Sequence, residues 1–316
     1  MAARYGVRVW LALVTVYLVW GSTFIALAFV VRDLPPFLAM SIRHLVAGSA
    51  LLLFALPRGD RASDPIGRRQ MGAAIVCGGL LFLTGHGALA WAQQTVPAGV
   101  AALLVGTIPI WMALFDRVAF GKRLALGAYA GIAVGFAGLA FLFDPFGGGS
   151  VDRLGAFVIV ASAMCWAIGS LYSRDAPLPQ RPLVSAGLAS LCGGLLLAGY
   201  SLVSGEIGEA VWTTSAVLGL AYLVVAGSFV GFTAYVWLLR AAPISLVSTY
   251  AYVNPMVAVA LGWLILGEGV TAQMLVAAAA VVFSVAVILR SGATSLEPGR
   301  GLLVKRSPVA AAEPTA

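Results

Sequence analysis

The chain has 316 residues, of which 61% are hydrophobic and 10% charged, and it carries a formal net charge of +7. Soluble domains hold about 25% charged residues, and a fold of this size has no interior large enough to hide so much apolar surface. The composition therefore excludes an ordinary soluble enzyme and points to lipid as the solvent. The basic residues lie between apolar runs rather than in an aromatic-interleaved patch, so no nucleic-acid partner is expected.

Taken in order, ten stretches are long and apolar enough to cross a bilayer as helices: roughly 10–30, 36–56, 70–91, 97–115, 124–143, 153–172, 183–203, 214–238, 243–266 and 271–290. Backbone groups in hydrocarbon must be bonded within their own segment, and none of these runs alternates with a two-residue period, so helices are predicted. The connections are short; the longest is about Pro57–Arg69. The first run has a basic start and an Ala-x-Ala sequence at Ala26–Ala28, both signal-peptide features. Its membership of the repeat described below favours its retention as a span. Residues 291–316 are rich in Ala, Pro, Gly and Arg and read as a disordered tail. Cys77, Cys165 and Cys192 each lie inside an apolar run, with spacings that fit neither a metal site nor a disulfide framework. No metal and no cofactor are expected.

Orientation follows from the 19 lysines and arginines. With the N-terminus in the cytoplasm, that side receives Arg4, Arg8, Arg58, Arg61, Arg68, Arg69, Arg117, Lys122, Arg123, Arg174, Arg181, Arg240, Arg290, Arg300, Lys305 and Arg306. The other side keeps only Arg32 and Arg153, while Arg43 lies within a span. This bias places both termini in the cytoplasm and requires an even number of spans.

The chain also matches itself. At an offset of 146 residues, Trp20 meets Trp166, Gly48 meets Gly194, Gly85 meets Gly231, Trp91 meets Trp237, Pro97 meets Pro243, Pro109 meets Pro255 and Gly121 meets Gly267. Each copy holds five spans. Five is odd, so the second copy enters from the opposite side, and a pseudo-two-fold axis in the membrane plane relates the halves. Two halves able to exchange conformations give two states of similar energy, open to opposite sides, around a site near the midplane. The expected organisation is two repeats at 8–143 and 152–290, an all-α fold of ten transmembrane helices.

The residues expected to line such a site are few. Pro109 and Pro255 fall twelve residues past helix-starting prolines and should free the carbonyls of Val105 and Ala251, making hinges or a cavity wall. Trp20 and Trp166 sit near span centres, away from the interface tryptophan prefers, and suggest an aromatic gate or platform as readily as bulky packing. Ser22 and Thr23 adjoin Trp20; Thr107, Tyr250 and Asn254 are polar positions in the fourth and ninth spans. Arg43 lies about 10 Å inside the second span at 1.5 Å per residue. It can snorkel outward, pair structurally, or clamp a substrate carboxylate. His44 and His86 are positions for proton carriage or for a buried helix contact. No aspartate or glutamate sits deep in a span; Asp116 and Glu268 are at span ends. That leaves no catalytic constellation, and a non-enzyme is expected.

Trp20-Gly21-Ser22-Thr23, Leu34-Pro35-Pro36-Phe37, Arg43, Asn254-Pro255, Gly262 and Leu266-Gly267-Glu268 together resemble the drug/metabolite transporter superfamily, specifically two EamA-type domains in tandem, over about residues 8–290. The first repeat departs from the family pattern in carrying Asp116, and Lys122 where glutamate is usual. The resemblance implies a multi-pass protein of the inner or plasma membrane that exports small organic solutes such as amino acids, metabolites or drugs by alternating access. The expected partners are a small-molecule substrate and the lipid bilayer, with the oligomeric state open. A flippase for lipid-linked groups and an intramembrane enzyme are the alternative readings.

Overall fold

The computed structural model describes residues 6–58, 66–121, 124–143, 152–242 and 244–290. Pro243, Lys122 and the 291–316 tail lie outside the described residues. Ten helical spans follow one another: α1 (Val7–Val30), α2 (Pro36–Ala55), α3 (Arg68–Ala92), α4 (Ala98–Val105 and Ile108–Phe120), α5 (Leu126–Phe143), α6 (Arg153–Asp175), α7 (Pro182–Val203), α8 (Thr214–Tyr222, Leu223–Gly231 and Phe232–Ala241), α9 (Ile244–Val247, Tyr250–Leu261 and Gly262–Leu266) and α10 (Ala272–Arg290). Eight carry a helix long and apolar enough to cross a membrane; Leu126–Leu142 and Tyr250–Leu266 are shorter apolar helices. The all-α membrane architecture expected from the sequence is thus the one observed.

The chain's own chemistry starts and stops these helices. Pro36 and Pro182 occupy first-turn positions, where a missing N–H costs nothing. Asp152 caps α6 by accepting from the N–H groups of Leu154 and Gly155, and Thr213 caps α8 by accepting from Ala216. α4 and α9 both end on a left-handed glycine, Gly121 at φ 65° and Gly267 at φ 67°. These are equivalent positions of the repeat, and a side chain at either would be strained.

The packing carries the pseudo-two-fold relation. α2 against α7 is the most extensive helix pair and α5 against α10 the next; each pairs a helix with its own repeat equivalent. α1 packs on α8 and α9, and α6 packs on α3 and α4, the same pattern with the halves exchanged. At the α2–α7 crossing the relation is reciprocal to the residue. A Cβ on Gly48 would stand 2.5 Å from the Leu191 backbone nitrogen, and one on Gly194 would stand 2.8 Å from that of Leu45. His44 and Ser190, 146 residues apart, hydrogen-bond each other, so the axis runs between them. Small residues at such crossings let backbones approach, which is how helices associate without a hydrophobic force between them.

The ends of the bundle carry different ties. The Ala98–Val105 half of α4 packs on α9 and on α1. Beyond that packing, the Glu268 carboxylate accepts from Ala98 N at 2.6 Å and Gly99 N at 2.9 Å. Among the described residues, the Glu268 carboxylate ties the start of α4 to the end of α9, and the Asp116–Arg174 ion pair ties α4 to α6 towards the Gly121 end.

Candidate functional site

Two features that no sequence pattern announces prepare the site. Gly79–Gly87 in α3 and Leu223–Gly231 in α8 are π-helical stretches at nearly equivalent positions of the two repeats. Wide turns of this kind release main-chain carbonyls from the regular ladder and recur at functional sites. In each, a hydroxyl reaches back five residues: Thr84 donates to Gly79 O at 3.1 Å, and Ser228 donates to Leu223 O at 3.2 Å.

Each central tryptophan lies on a glycine of the facing wide turn. A Cβ on Gly231 would fall 2.5 Å from Trp20 Nε1, and one on Gly85 would fall 3.0 Å from Trp166 Cε3. The two contacts are equivalents of each other. Around Trp20 the wall is aromatic: its ring lies 5.1 Å from Tyr235 and 5.1 Å from Tyr250, centroid to centroid, and its Nε1 donates to Gly227 O at 3.2 Å. Thr23 joins this group, its Cγ2 lying 3.1 Å from where a Gly227 Cβ would be. Arg43 meets the same turn. Its Nε donates to Ser228 Oγ at 3.3 Å, and one Nη stands 3.3 Å from the Gly227 Cβ position. As a residue Arg43 is only 8% exposed, held between α2 and the wide turn of α8.

The second group is built around histidine. His44 Nε2 and His86 Nδ1 are 2.9 Å apart, and His44 Nδ1 is 3.1 Å from Ser190 Oγ, whose hydroxyl donates to His44 O at 3.2 Å. Taken as neutral rings, the network runs one way, from His86 Nδ1–H to His44 Nε2 and from His44 Nδ1–H to Ser190; this tautomer is assigned from the partners. His86 packs 4.8 Å from Trp166, and Phe82 stands edge-on to the same indole at 6.2 Å.

The remaining sequence-predicted residues sit elsewhere. Ser22 bonds Tyr222 OH at 2.6 Å on the outer side of α1 and α8. Thr107 is fully buried, donating to Leu104 O and accepting from Trp111 Nε1. α4 breaks at Gly106–Thr107, just before Pro109, whereas α9 breaks at Ser248–Thr249 and runs helically through Pro255. Pro255 packs against Gly106, its Cγ 3.0 Å from a Cβ there. Asn254 is buried, and its Oδ1 has no hydrogen-bond partner among the described residues. Ser228, Tyr235, Phe82 and Ser190 are site residues that sequence reasoning alone does not single out. For Tyr235 and Phe82 a signal exists, because each lies within four residues of the matched Gly231 and Gly85. No group of three or more His, Cys, Asp or Glu that could hold a metal occurs among the described residues.

Comparison with known proteins now bears on this architecture. The model of the EamA-like transporter family matches twice, over residues 8–144 and 153–290. An uncharacterized inner membrane transporter, YedA, of Escherichia coli strain K12 is 35% identical over 278 residues, covering 88% of this chain and 89% of that protein. The uncharacterized transporter YoaV of Bacillus subtilis strain 168 is 24% identical, covering 86% of this chain and 93% of its own. A solved crystal structure superposes with a TM-score of 0.61 at 23% identity, covering 88% of this chain and 94% of that one, a likeness of fold. The chain belongs to the EamA-like transporter family.

Proposed function

We propose that this chain is a secondary transporter that exports small organic solutes by alternating access between its two repeats, and that it is not an enzyme. The observation that carries this reading is the pseudo-symmetric packing of two five-helix halves, with α4 and α9 tied at the Glu268 end through Ala98 and Gly99. A bundle of exchangeable halves can close at either end, which gives the two states such a carrier needs. With both termini in the cytoplasm, as the lysine and arginine bias favours, the Glu268 tie lies at the outer end. The substrate region is the pair of tryptophan–glycine contacts with Arg43, Thr23, Tyr250 and the histidine pair between them. The Gly106–Thr107 break beside Pro109 supplies one hinge, and the Ser248–Thr249 break six residues before Pro255 supplies the other. The EamA-like family and the inner-membrane transporters among its relatives support the membrane setting and a small-molecule substrate.

The test is flux. Full-length protein in liposomes, preloaded with unlabelled amino acids, organic acids or cationic drugs in turn, is expected to show saturable counterflow of at least one labelled class. Correctly inserted protein that moves no member of such a panel would sink the carrier reading.

A further inference from the structure

The charge of Arg43 is unanswered among the described residues. Seven acidic residues fall within them, and six are engaged with partners other than Arg43. Asp33 accepts from Thr213, Asp116 and Asp175 pair with Arg174, Asp152 caps α6, Glu206 accepts from Leu38 N, and Glu268 accepts from Ala98 and Gly99. The seventh, Glu209, lies exposed at the α7–α8 connection. Of the guanidinium's N–H groups only Nε–H has a partner among the described residues, the neutral Ser228 hydroxyl. The Nη groups make no hydrogen bond there, yet they are not among the sealed unpartnered atoms of the core, so they keep accessible surface.

A full positive charge held among apolar helices without a counter-ion is costly, and the cost falls sharply when an anion binds with fork-like geometry. Arginine keeps its proton at any working pH, so the site cannot relieve itself by deprotonation. The neighbouring side chains cannot substitute: Ser228, Thr23 and Trp20 are neutral, and the His44–His86 pair is neutral or cationic, never anionic. The same α8 turn that meets Arg43 also carries the Trp20 contacts, so the guanidinium and the Trp20–Tyr235–Tyr250 aromatic wall face one region.

We infer that the substrate is an organic monoanion, a carboxylate on an apolar or aromatic body, with Arg43 binding the carboxylate and the Trp20–Tyr235–Tyr250 wall the body. The inference rests on the transporter reading for its role and on Arg43 alone for its charge. One guanidinium matches one negative charge; a phosphate dianion would leave an uncompensated charge in the same low-dielectric region. A cation is repelled, and a neutral amide forfeits the charge-assisted pair.

The experiment uses purified full-length protein in nanodiscs, with intrinsic tryptophan fluorescence read against phenylacetate, its neutral analogue phenylacetamide and the benzyltrimethylammonium ion. Phenylacetate is expected to bind saturably, the amide roughly 10- to 100-fold more weakly, as loss of a charge-assisted hydrogen-bonded pair implies, and the cation not at all. Arg43→Gln should erase the preference for the acid over the amide, and Arg43→Lys should keep part of it. Equal binding of acid and amide, binding of the cation, an unchanged preference in Arg43→Gln, or failure of phenylacetate to bind at about millimolar concentration would overturn the proposal. If Arg43→Gln does not fold, the wild-type ranking of the three probes still decides. Phenylacetate binding without counterflow in liposomes would keep the anion site and sink the carrier reading, whereas counterflow of cations alone would do the reverse.

Discussion

The two repeats are the same backbone device written in different chemistry. At the α2–α7 crossing the equivalents are nearly identical, Gly48 with Gly194 and Leu45 with Leu191, because two helices meeting across an axis must each leave room for the other. Away from the axis the equivalents diverge. Arg43 stands opposite Ala189, His86 opposite Phe232, Ser228 opposite Phe82, and Glu268 opposite Lys122. Packing constraints preserve the first set, while the second set is free to make one half polar and the other apolar. The duplicated frame thus repeats the helix crossings, and the divergent residues put Arg43 and Ser228 on one side of it and Glu268 at one end.

The largest expected effect comes from breaking the part that the repeats share. A Cβ on Gly48 would meet backbone of α7, the Leu191 nitrogen at 2.5 Å and Gly187 O at 2.9 Å, atoms that cannot rotate away. Gly48→Ala should therefore destabilise by about 1–3 kcal/mol, the usual cost of overpacking, and Gly48→Val by more. Gly199 on the same α7 has nothing within 4 Å of its Cβ position, so Gly199→Ala should leave thermal unfolding in detergent unchanged or slightly improved. Equal melting temperatures for the two alanine variants would show that the α2–α7 axis is not the tight crossing described.

A smaller effect should follow from the part in which the repeats differ. Glu268 holds the start of α4 through two charge-assisted bonds to N–H groups at a helix N-terminus, where negative charge is favoured. Lys122, by sequence register its equivalent, has no acceptor to offer the start of α9. The closed Glu268 end should therefore be favoured over a closed Gly121 end. In a background lacking the native cysteines, Ala102→Cys, buried beneath that end, reports its opening through maleimide labelling. Glu268→Ala should speed labelling by about tenfold or more, from loss of bonds worth roughly 1.5 kcal/mol or more each. Lys122→Glu, which gives the opposite end its own lock, should also speed it. Unchanged labelling in both variants would remove the lock from the account.

Much of this frame is legible in the amino-acid sequence because duplication writes the fold twice. Tryptophans, prolines and glycines recurring at one offset give the helix number and the equivalence of Trp20 with Trp166 and of Gly85 with Gly231. The site is less legible. Its partners are contributed from positions about 185 residues apart, such as Arg43 and Ser228, and no local pattern links them. The π-helical turns of α3 and α8 are hidden for another reason: a shift from four- to five-residue bonding does not disturb an apolar run. Ser22 shows how nearness in sequence misleads. It lies two residues from Trp20, but two residues turn a helix by about 200°, which carries Ser22 to the Tyr222 side.

The smallest expected effect lies at an end of the bundle, where the second repeat begins. Asp152 accepts from Thr95 Oγ1 at 2.6 Å and from Gly155 N at 3.0 Å, tying the α3–α4 connection to the α6 N-terminus. The Thr95 hydroxyl first, and then the Gly155 N–H, hold its carboxyl below the ordinary aspartate value. The folded state therefore favours the ionised form. Its contribution is complete above the unfolded aspartate value of about 4 and is lost as pH falls through the lower folded value. Wild-type melting temperature should fall across that acid window by slightly more than that of Asp152→Asn, which cannot titrate, and Thr95→Val should behave as an intermediate. The carboxylate lies at the surface rather than in the core, so the difference should be small and should shrink further in high salt. The equivalent position in the first repeat is Gly6, which has no carboxylate, so the acid-sensitive tie belongs to one repeat alone. Identical acid profiles for wild type and Asp152→Asn would mean that neither the Thr95 hydroxyl nor the Gly155 N–H favours the ionised carboxylate, and a wild-type profile in Thr95→Val would limit Asp152 to capping α6.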